Sequence, residues 1–591
     1  MYVNNGYWDT YRTCWPAFNL LLPESSGQML QGLLQLYRDG GWMGRWSAPG
    51  FVNCMVGTSS DVMFADAAAH GVELDEETAY RSGLRNVLTP PDSEVVGRAG
   101  QGRFRFRDWV DTSVPEGLSW CLEGAINDAG LARWAARRAR TCAVPVAACD
   151  LRAEAYYLRN RALVWRNLFQ QASGFLMGRD EAGTWEAEPG ELDPRVWGGS
   201  YTETNAWGMA FSAVHDADYL AAVHGGPRGL GERLDRYFAE PEKAAPELSR
   251  TYGEVIHEMV EARAIGMGQL GLSNQPAHHV PFMYLFSDRP ERTSEVLHEC
   301  VDRLFDGAAI GQGWPGDEDN GEFSAWWLLV SMGLYPLDVA SGFFVLTTPQ
   351  LPAVIWTWPD GTRLSVRTQG EGIYSAAVSV NGQVWTSPLI AASLLHGDCE
   401  IVVTLSPEPT GWGRGQVGPG WLAGQGYRHD LTSRGRLLGE NDDVARLTDD
   451  EGVTPVDLAV GARLELVAEK DEPARVWTLT AVEPGEVEVS VSVRRQGGWS
   501  TPVNRRVTVR WPGETRVLEL PGTCAWPEGE CAWPEAGGAP MGERAWPEPD
   551  GAASCPGGVP AEFGDLSLAP TVEAVRWTFP SGARLTQLEV L

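Results

Sequence analysis

From its start to about residue 340 the chain repeats apolar positions at helical spacing, broken by polar loops rather than by strands. An apolar stretch from Ala17 to Leu22 leads into Met29, Leu30, Leu33, Leu34 and Tyr37, which mark a helix stopped by Gly40-Gly41. Asp61 to His70 is a second helix, closed by Gly71. Glu116 to Arg140 is a long amphipathic one, with Leu118, Leu122, Ile126 and Leu131 at steps of four or five. Leu151 to Phe169, Asn205 to Val223, Leu230 to Phe238, Gly253 to Met267, His278 to Phe286, Thr293 to Phe305 and Phe323 to Leu334 follow, for about ten to twelve helices in all. Helices in succession with no intervening strand predict an all-α layer architecture. A solenoid would show a fixed period and none is present, so a closed toroid is the expectation.

After Pro336 the pattern changes. Phe343 to Leu346, Ala353 to Trp356, Arg363 to Val366, Tyr374 to Val380 and Ile401 to Leu405 are short, β-prone and separated by turn residues. A second β set runs through Arg463 to Val467, Ala474 to Leu479, Val487 to Val493, Arg506 to Val509 and Arg516 to Leu520, with Trp577 to Val590 as closing strands. The alternation of residues 486–493 marks a half-exposed strand. The expected organisation is therefore mainly α followed by β. Residues 1–340 form a toroid, 341–410 a β-rich segment on it, 411–455 a polar, Gly-rich linker and 456–591 a sandwich-like region. A low-complexity insertion at 521–563, with Ala-Trp-Pro at 525, 532 and 545, is expected to be loosely attached.

Composition narrows the function classes. A formal net charge of -31 over 591 residues argues against nucleic acid and against an anionic membrane surface. No run of 18 or more apolar residues predicts a membrane helix, and residues 1–6 carry no basic and apolar leader. The ten cysteines are scattered without a CxxC pair, so a zinc ribbon is not expected. Tryptophan is the unusual count at 26, which fits helix–helix cores or apolar platforms for sugar rings.

The candidate chemistry lies in five loops that flank an acid or histidine with aromatic and small residues. They are Trp8 to Arg12, Tyr201 to Trp207, Ile256 to Met259, Ser273 to His279, and the turn from Gly316 to Trp326, where Asp317 and Asp319 stand one residue apart before an apolar helix. The plain alternative for that turn is a capped helix start with acids at its positive end. Five such loops at helix ends of one toroid fit a single polar cleft. One carboxylic acid that protonates a leaving oxygen, with a second carboxylate that activates water, is the minimal kit for inverting glycoside hydrolysis; the two stand roughly 6.5 to 9.5 Å apart. Asn, Gln and backbone oxygens beside carboxylates suit a hard cation such as calcium. HExxH spacing and a GxSxG elbow are absent.

The stretches GYWDTYRT (6–13), SYTETNAW (200–207), VHD (214–216), IHEM (256–259), SNQPAHHVPFMY (273–284), GDEDNGEFSAW (316–326) and GLYPL (333–337) occur in an order that resembles glycoside hydrolase family 92, the calcium-dependent exo-α-mannosidases. The resemblance implies an (α/α)6 toroid and release of terminal α-linked mannose with inversion. By it, Glu203 is the general acid, and Asp317 and Asp319 are the carboxylates that activate water. Asp9 and Arg12 line the mannose pocket, with Trp207, His278 and His279 as further substrate-side candidates. His257 and Glu258 match a dipeptide tied to the next sugar in α-1,2 links. Glu261, through its backbone carbonyl, Asn274 and Gln275 lie near the Ca2+ ion. Gln275 departs from the glutamate common in the family, which removes one negative charge. The retained Glu203 favours an ordinary glycosidic bond over a mannosyl-phosphate link, and a catalytically impaired mannan-binding remnant is the other alternative. Family members carry a β-sandwich before the WDTYRT-like segment; here the expectation is a missing or separate one, with a secreted or cell-surface location if the start is incomplete. The partners implied are mannose-containing glycans such as mannans and N-glycans.

Overall fold

The computed structural model describes residues 5–307, 313–417, 420–430, 436–439, 442–521 and 571–591. The helices fall into two kinds that alternate along the chain. Ser60–Ala69, Gly117–Thr141 and Glu322–Met332 bury residues on nearly every side, whereas Pro23–Gly40, Glu76–Leu88, Gly226–Ala239 and Glu291–Leu304 bury only a stripe. A helix buried all round is an inner element, and one with a single apolar stripe is an outer one. Successive helices therefore make an inner and an outer layer. The layers close because Cys14–Leu21 packs beside Glu322–Met332, bringing the two ends of the helical region together.

Most sequence-based helices are present, with informative differences. The expected helix from Asn205 to Val223 is broken into Ala206–Met209, a 3-10 turn Val214–Asp216 and Ala217–Val223. It unwinds where the Phe211 carbonyl takes a hydrogen bond from His279 Nε2 (3.0 Å). The stretch from His278 is a 3-10 helix, Val280–Phe286, in which Pro281 offers no N–H. The helix Glu76–Leu88 is additional to the expected set; Tyr80, Leu84, Val87 and Leu88 form its buried stripe, and Asp75 caps it by accepting the Thr78 N–H at 3.1 Å.

The β-rich segment forms a five-stranded sheet in the order Gln383–Trp385, Tyr374–Val380, Cys399–Ser406, Arg363–Gln369, Ala353–Thr357, with one parallel pair at its middle. Leu364, Val366, Val378, Val380, Ile401 and Val403 share a core with Ala17, Leu20, Leu21, Leu329 and Met332. The sheet thus backs the place where first and last inner helices meet.

The segment expected as a linker is instead a packed strap. Leu422 is buried with Ala129, Ala162 and Leu163, Trp421 lies under Arg133 and Arg159, and the Arg428 backbone exchanges hydrogen bonds with Asn160 at 2.8 and 2.9 Å. The few apolar residues were masked by the surrounding Gly and polar ones. Beyond it, a sheet of Arg436–Leu438, Ala462–Pro473, Thr571–Phe579, Gly485–Arg495 and Val503–Val509 faces one of Val456–Leu458, Ala583–Val590, Val476–Ala481 and Thr515–Glu519 across a common core. The insertion at 521–563, with Cys524, Cys531 and Cys555, lies almost wholly outside the described residues. Among those described, seven cysteines are free thiols and no helix is long and apolar enough to cross a membrane.

Candidate active site

The acidic turn resolves into two separate functions. Asp319 and Asn320 both take left-handed backbone (φ 56° and 57°), followed by Gly321 at 101°. This coil delivers the chain to the helix Glu322–Met332. Its capping group is Glu318: one carboxylate oxygen accepts the Gly321 N–H (2.8 Å), the other the Ser324 N–H (3.2 Å) and hydroxyl (2.6 Å). Asp317, exposed, and Asp319, half-buried, are therefore not spent on the cap. Burial pushes Asp319 up to about 6, opposed by a hydrogen bond from Gln275 and supported by Asp317.

Glu203 stands on a loop between Gly198-Gly199 and the short helix Ala206–Met209, itself capped by the Asn205 side chain. Its backbone is left-handed at φ 48°, an unfavourable state for a residue with a Cβ. Burial is the main reason its carboxyl is pushed up to about 7; the Asn274 hydrogen bond opposes, and Glu258 and Glu116 reinforce. A carboxylic acid that keeps its proton near neutrality can donate one to a leaving oxygen.

Adjacent amides connect the two. Asn274 Nδ2 donates to Glu203 Oε2 at 2.9 Å, and Gln275 Nε2 donates to Asp319 Oδ2. Two consecutive residues thus hold one carboxyl each. The amide nitrogens are turned to carboxyls, and Asn274 Oδ1 accepts the Gln275 N–H at 3.0 Å. Of the three residues expected around calcium, Glu261, expected to act through its backbone carbonyl, offers a side-chain oxygen as well. Its Oε1 faces His257 Nδ1 at 3.3 Å, while its buried Oε2 has no partner among the described residues. A hard cation would satisfy that oxygen. A separate group of carboxylates close enough to share a metal, Asp430, Asp450 and Glu589, lies where the strap meets the last strand.

Asp9 stands close enough to Asp319 and Glu203 to feel their charge, with Arg12 beside it. Asp9 is 3% exposed, and its carboxyl is raised well above the usual range by burial, Asp319 and Glu203, against Arg12. Gly6 makes room for it, since a Cβ there would come within 2.2 Å of Asp9 Oδ2. Arg12 donates to Glu123 Oε1 at 2.9 Å and lies over the rings of Trp8 and Tyr11. His257, opening the helix His257–Ile265, is exposed between Glu258 (3.0 Å) and Glu261; burial opposes its protonation, yet these acids raise its pKa. Glu258 in turn feels Asp317 and acts on Glu203, so this pair borders the same space.

Three expected substrate-side residues face inward instead. Trp207 is packed edge-on against Phe175 at 4.9 Å with the Arg233 guanidinium over its ring. His279 is buried on the Phe211 carbonyl, and burial lowers its pKa to about 3. His278 has no exposed surface and meets Glu322 through Nδ1 at 3.2 Å. All three rings are packed against neighbouring side chains or backbone, with Trp207 part of the apolar core. Sequence reasoning also missed Glu322, fully buried, whose Oε2 accepts the Thr13 and Cys14 N–H groups at 3.1 and 2.9 Å and ties the Asp9–Arg12 segment to the acidic turn. It missed Glu123, mid-helix with no local signal, and Tyr252, whose hydroxyl accepts the Glu203 N–H at 2.7 Å.

Residues 1–407 match the description of the glycosyl hydrolase family 92 catalytic domain. An inverting mannosidase of that family from Bacteroides thetaiotaomicron VPI-5482 is 29% identical, with a TM-score of 0.60 over 69% of this chain and 54% of its own. A family 92 α-mannosidase from Bacteroides thetaiotaomicron, solved with mannoimidazole, shares the fold at 20% identity and a TM-score of 0.62, over 72% of this chain and 55% of its own. A protein described as an uncharacterized secreted glycosidase of Arthroderma benhamiae is 23% identical over 443 residues, which are 67% of this chain and 51% of that protein. The chain spans about half the length of these relatives.

Proposed function

Because the chain belongs to glycosyl hydrolase family 92 through a match over residues 1–407, we propose that it is an inverting exo-α-mannosidase acting on terminal α-linked mannose of glycans, with α-1,2 links favoured. The observation that carries this reading is the pair of neighbouring amides, Asn274 and Gln275, each holding one carboxyl of the acid–base pair. Glu203 donates its proton to the departing glycosidic oxygen as the C–O bond breaks. Asp317 and Asp319 take a proton from the water that attacks the opposite face of the anomeric carbon. The sugar leaves with inverted configuration. Asp9 and Arg12 hold the terminal mannose, with Arg12 fixed by Glu123 and two aromatic faces. His257 and Glu258, bordering the acid, meet the second sugar. Glu261 and Asn274 would hold a calcium ion, which supplies charge for sugar hydroxyls and for the oxocarbenium-like transition state.

Mannose release from α-1,2-mannobiose, followed by NMR of the first-formed anomer, tests the reading. The expected product is β-mannose, and chelation lowers the rate until calcium is restored. Initial α-mannose would overturn inversion. Calorimetric binding without release would favour the binding remnant, and release from mannose-1-phosphate esters alone would favour the phosphodiesterase.

A further inference from the structure

Resting on the reading of Glu203 as proton donor, we propose that Tyr252 is the positioning residue that holds this acid in place, by accepting the Glu203 backbone N–H on its phenolic oxygen. Glu203 is held at two points of different kind. Asn274 grips the carboxyl, and also lies 3.4 Å from the Glu203 carbonyl; Tyr252 grips the amide hydrogen at 2.7 Å. The second grip matters because a left-handed residue with a side chain persists only when its surroundings over-determine it. Without the Tyr252 oxygen, the Glu203 backbone loses the acceptor that fixes it there, and the carboxyl direction follows the backbone.

The surroundings are built to bring that oxygen to the loop. Tyr252 ends the 3-10 turn Arg250–Tyr252, and Gly253 leaves it in left-handed backbone. The turn lies directly on the glycine pair that opens the Glu203 loop. Thr251 Oγ1 accepts the Gly199 N–H at 2.8 Å, and a Cβ on Gly198 would stand 2.9 Å from Tyr252 Cε2. A Cβ on Gly199 would approach the Arg250 guanidinium at 3.0 Å. Both positions also take left-handed backbone (φ 79° and 76°), which a residue with a Cβ rarely adopts. Thr202, next to Glu203, is pinned separately by the Ser119 hydroxyl on its N–H at 2.9 Å, so the acceptor lost in Tyr252→Phe is the one on Glu203.

The test compares α-1,2-mannobiose, whose leaving oxygen needs a proton, with 2,4-dinitrophenyl α-mannoside, whose leaving group does not. In the full chain, Tyr252→Phe is expected to lower kcat on mannobiose about tenfold, part of the 10²–10⁴ that a positioned acid contributes, while changing the dinitrophenyl substrate by about twofold or less. Glu203→Gln, run beside it, should show the same selectivity more strongly. If Glu203→Gln is selective and Tyr252→Phe slows both substrates alike, or neither, the inference falls and the acid assignment stands. If Glu203→Gln is not selective, the acid assignment falls and takes the inference with it. A second measurement needs no substitution: the Glu203 amide of the unmodified protein should be protected in hydrogen–deuterium exchange resolved to single residues, and exchange at the free-peptide rate overturns the proposal.

Discussion

At the scale of residues, Glu318 alone of the three acids at 317–319 is spent on the helix cap, leaving Asp317 and Asp319 for the proposed chemistry. Glu318 caps the helix through three hydrogen bonds. Glu318→Ala should therefore cost about 1 kcal/mol of stability by chemical denaturation, in the range for lost caps, and leave kcat close to the parent value. Asp319→Asn should do the reverse. It keeps the shape and the contact with Gln275 but removes the base, so steady-state kinetics should show kcat down on the order of 10²–10⁴-fold with an unchanged melting temperature. The motif was legible in sequence, and so was its two-way reading as cap or chemistry. Which acid took which part was not, because it depends on three successive left-handed residues that aim neighbouring side chains apart.

At the scale of elements, the inner helices carry ionic groups that stripe patterns do not anticipate. Arg98 joins Asp128 (2.7 Å) and Asp61 (3.3 Å) where all three side chains are at most 1% exposed. Removing one partner leaves buried charge without compensation, so Arg98→Ala should lose about 3–5 kcal/mol in urea unfolding. Burial pushes Asp61 up to about 6, although Arg98, Thr58 and Asn86 pull it down. The folded protein thus binds this proton more tightly than the unfolded chain, whose carboxyl titrates near about 3.9. The Asp61 contribution is full below that value and is lost as pH rises through about 6. Asp61→Asn should flatten that part of the stability profile, read from midpoints of denaturation between about pH 4 and pH 6. The outer helices were legible because one wet face leaves a period. Glu76–Leu88 was legible in the same way, with Tyr80, Leu84, Val87 and Leu88 at helical spacing after the Asp75 cap, but it is short and follows a polar loop. The broken helix at 205–223 was unpredictable from spacing, since its cause, His279 on the Phe211 carbonyl, is 68 residues away in sequence.

At the scale of the molecule, the C-terminal sandwich is joined to the helical layers by a shared interior. Val476, Val517 and Leu591 belong to the same core as Tyr156, Tyr157 and Leu158, and Arg105 reaches the Gly513 carbonyl. This explains why the second half of Pro145–Arg161 is buried all round although it is an outer helix. Calorimetry should accordingly show helices and sandwich melting in one transition; two well-separated transitions would contradict the shared core. A chain cut after residue 407 should expose that face and melt at lower temperature than the full chain, or aggregate.

What the sequence determined by itself was local and chemical. It set the order of helices before strands, the glycine-bracketed acidic turn, the Glu203 loop and the motif order that marks the family, because propensity, turn chemistry and short motifs act over a few residues. The tertiary structure decided which rings line the cleft and which are core, turning Trp207, His278 and His279 inward. It also decided that a polar, glycine-rich stretch is a strap and that Asn274 and Gln275 hold the carboxyls of Glu203 and Asp319. Those outcomes depend on contacts between segments far apart in the chain, where burial and hydrogen-bond partners are set by packing rather than by neighbours in sequence.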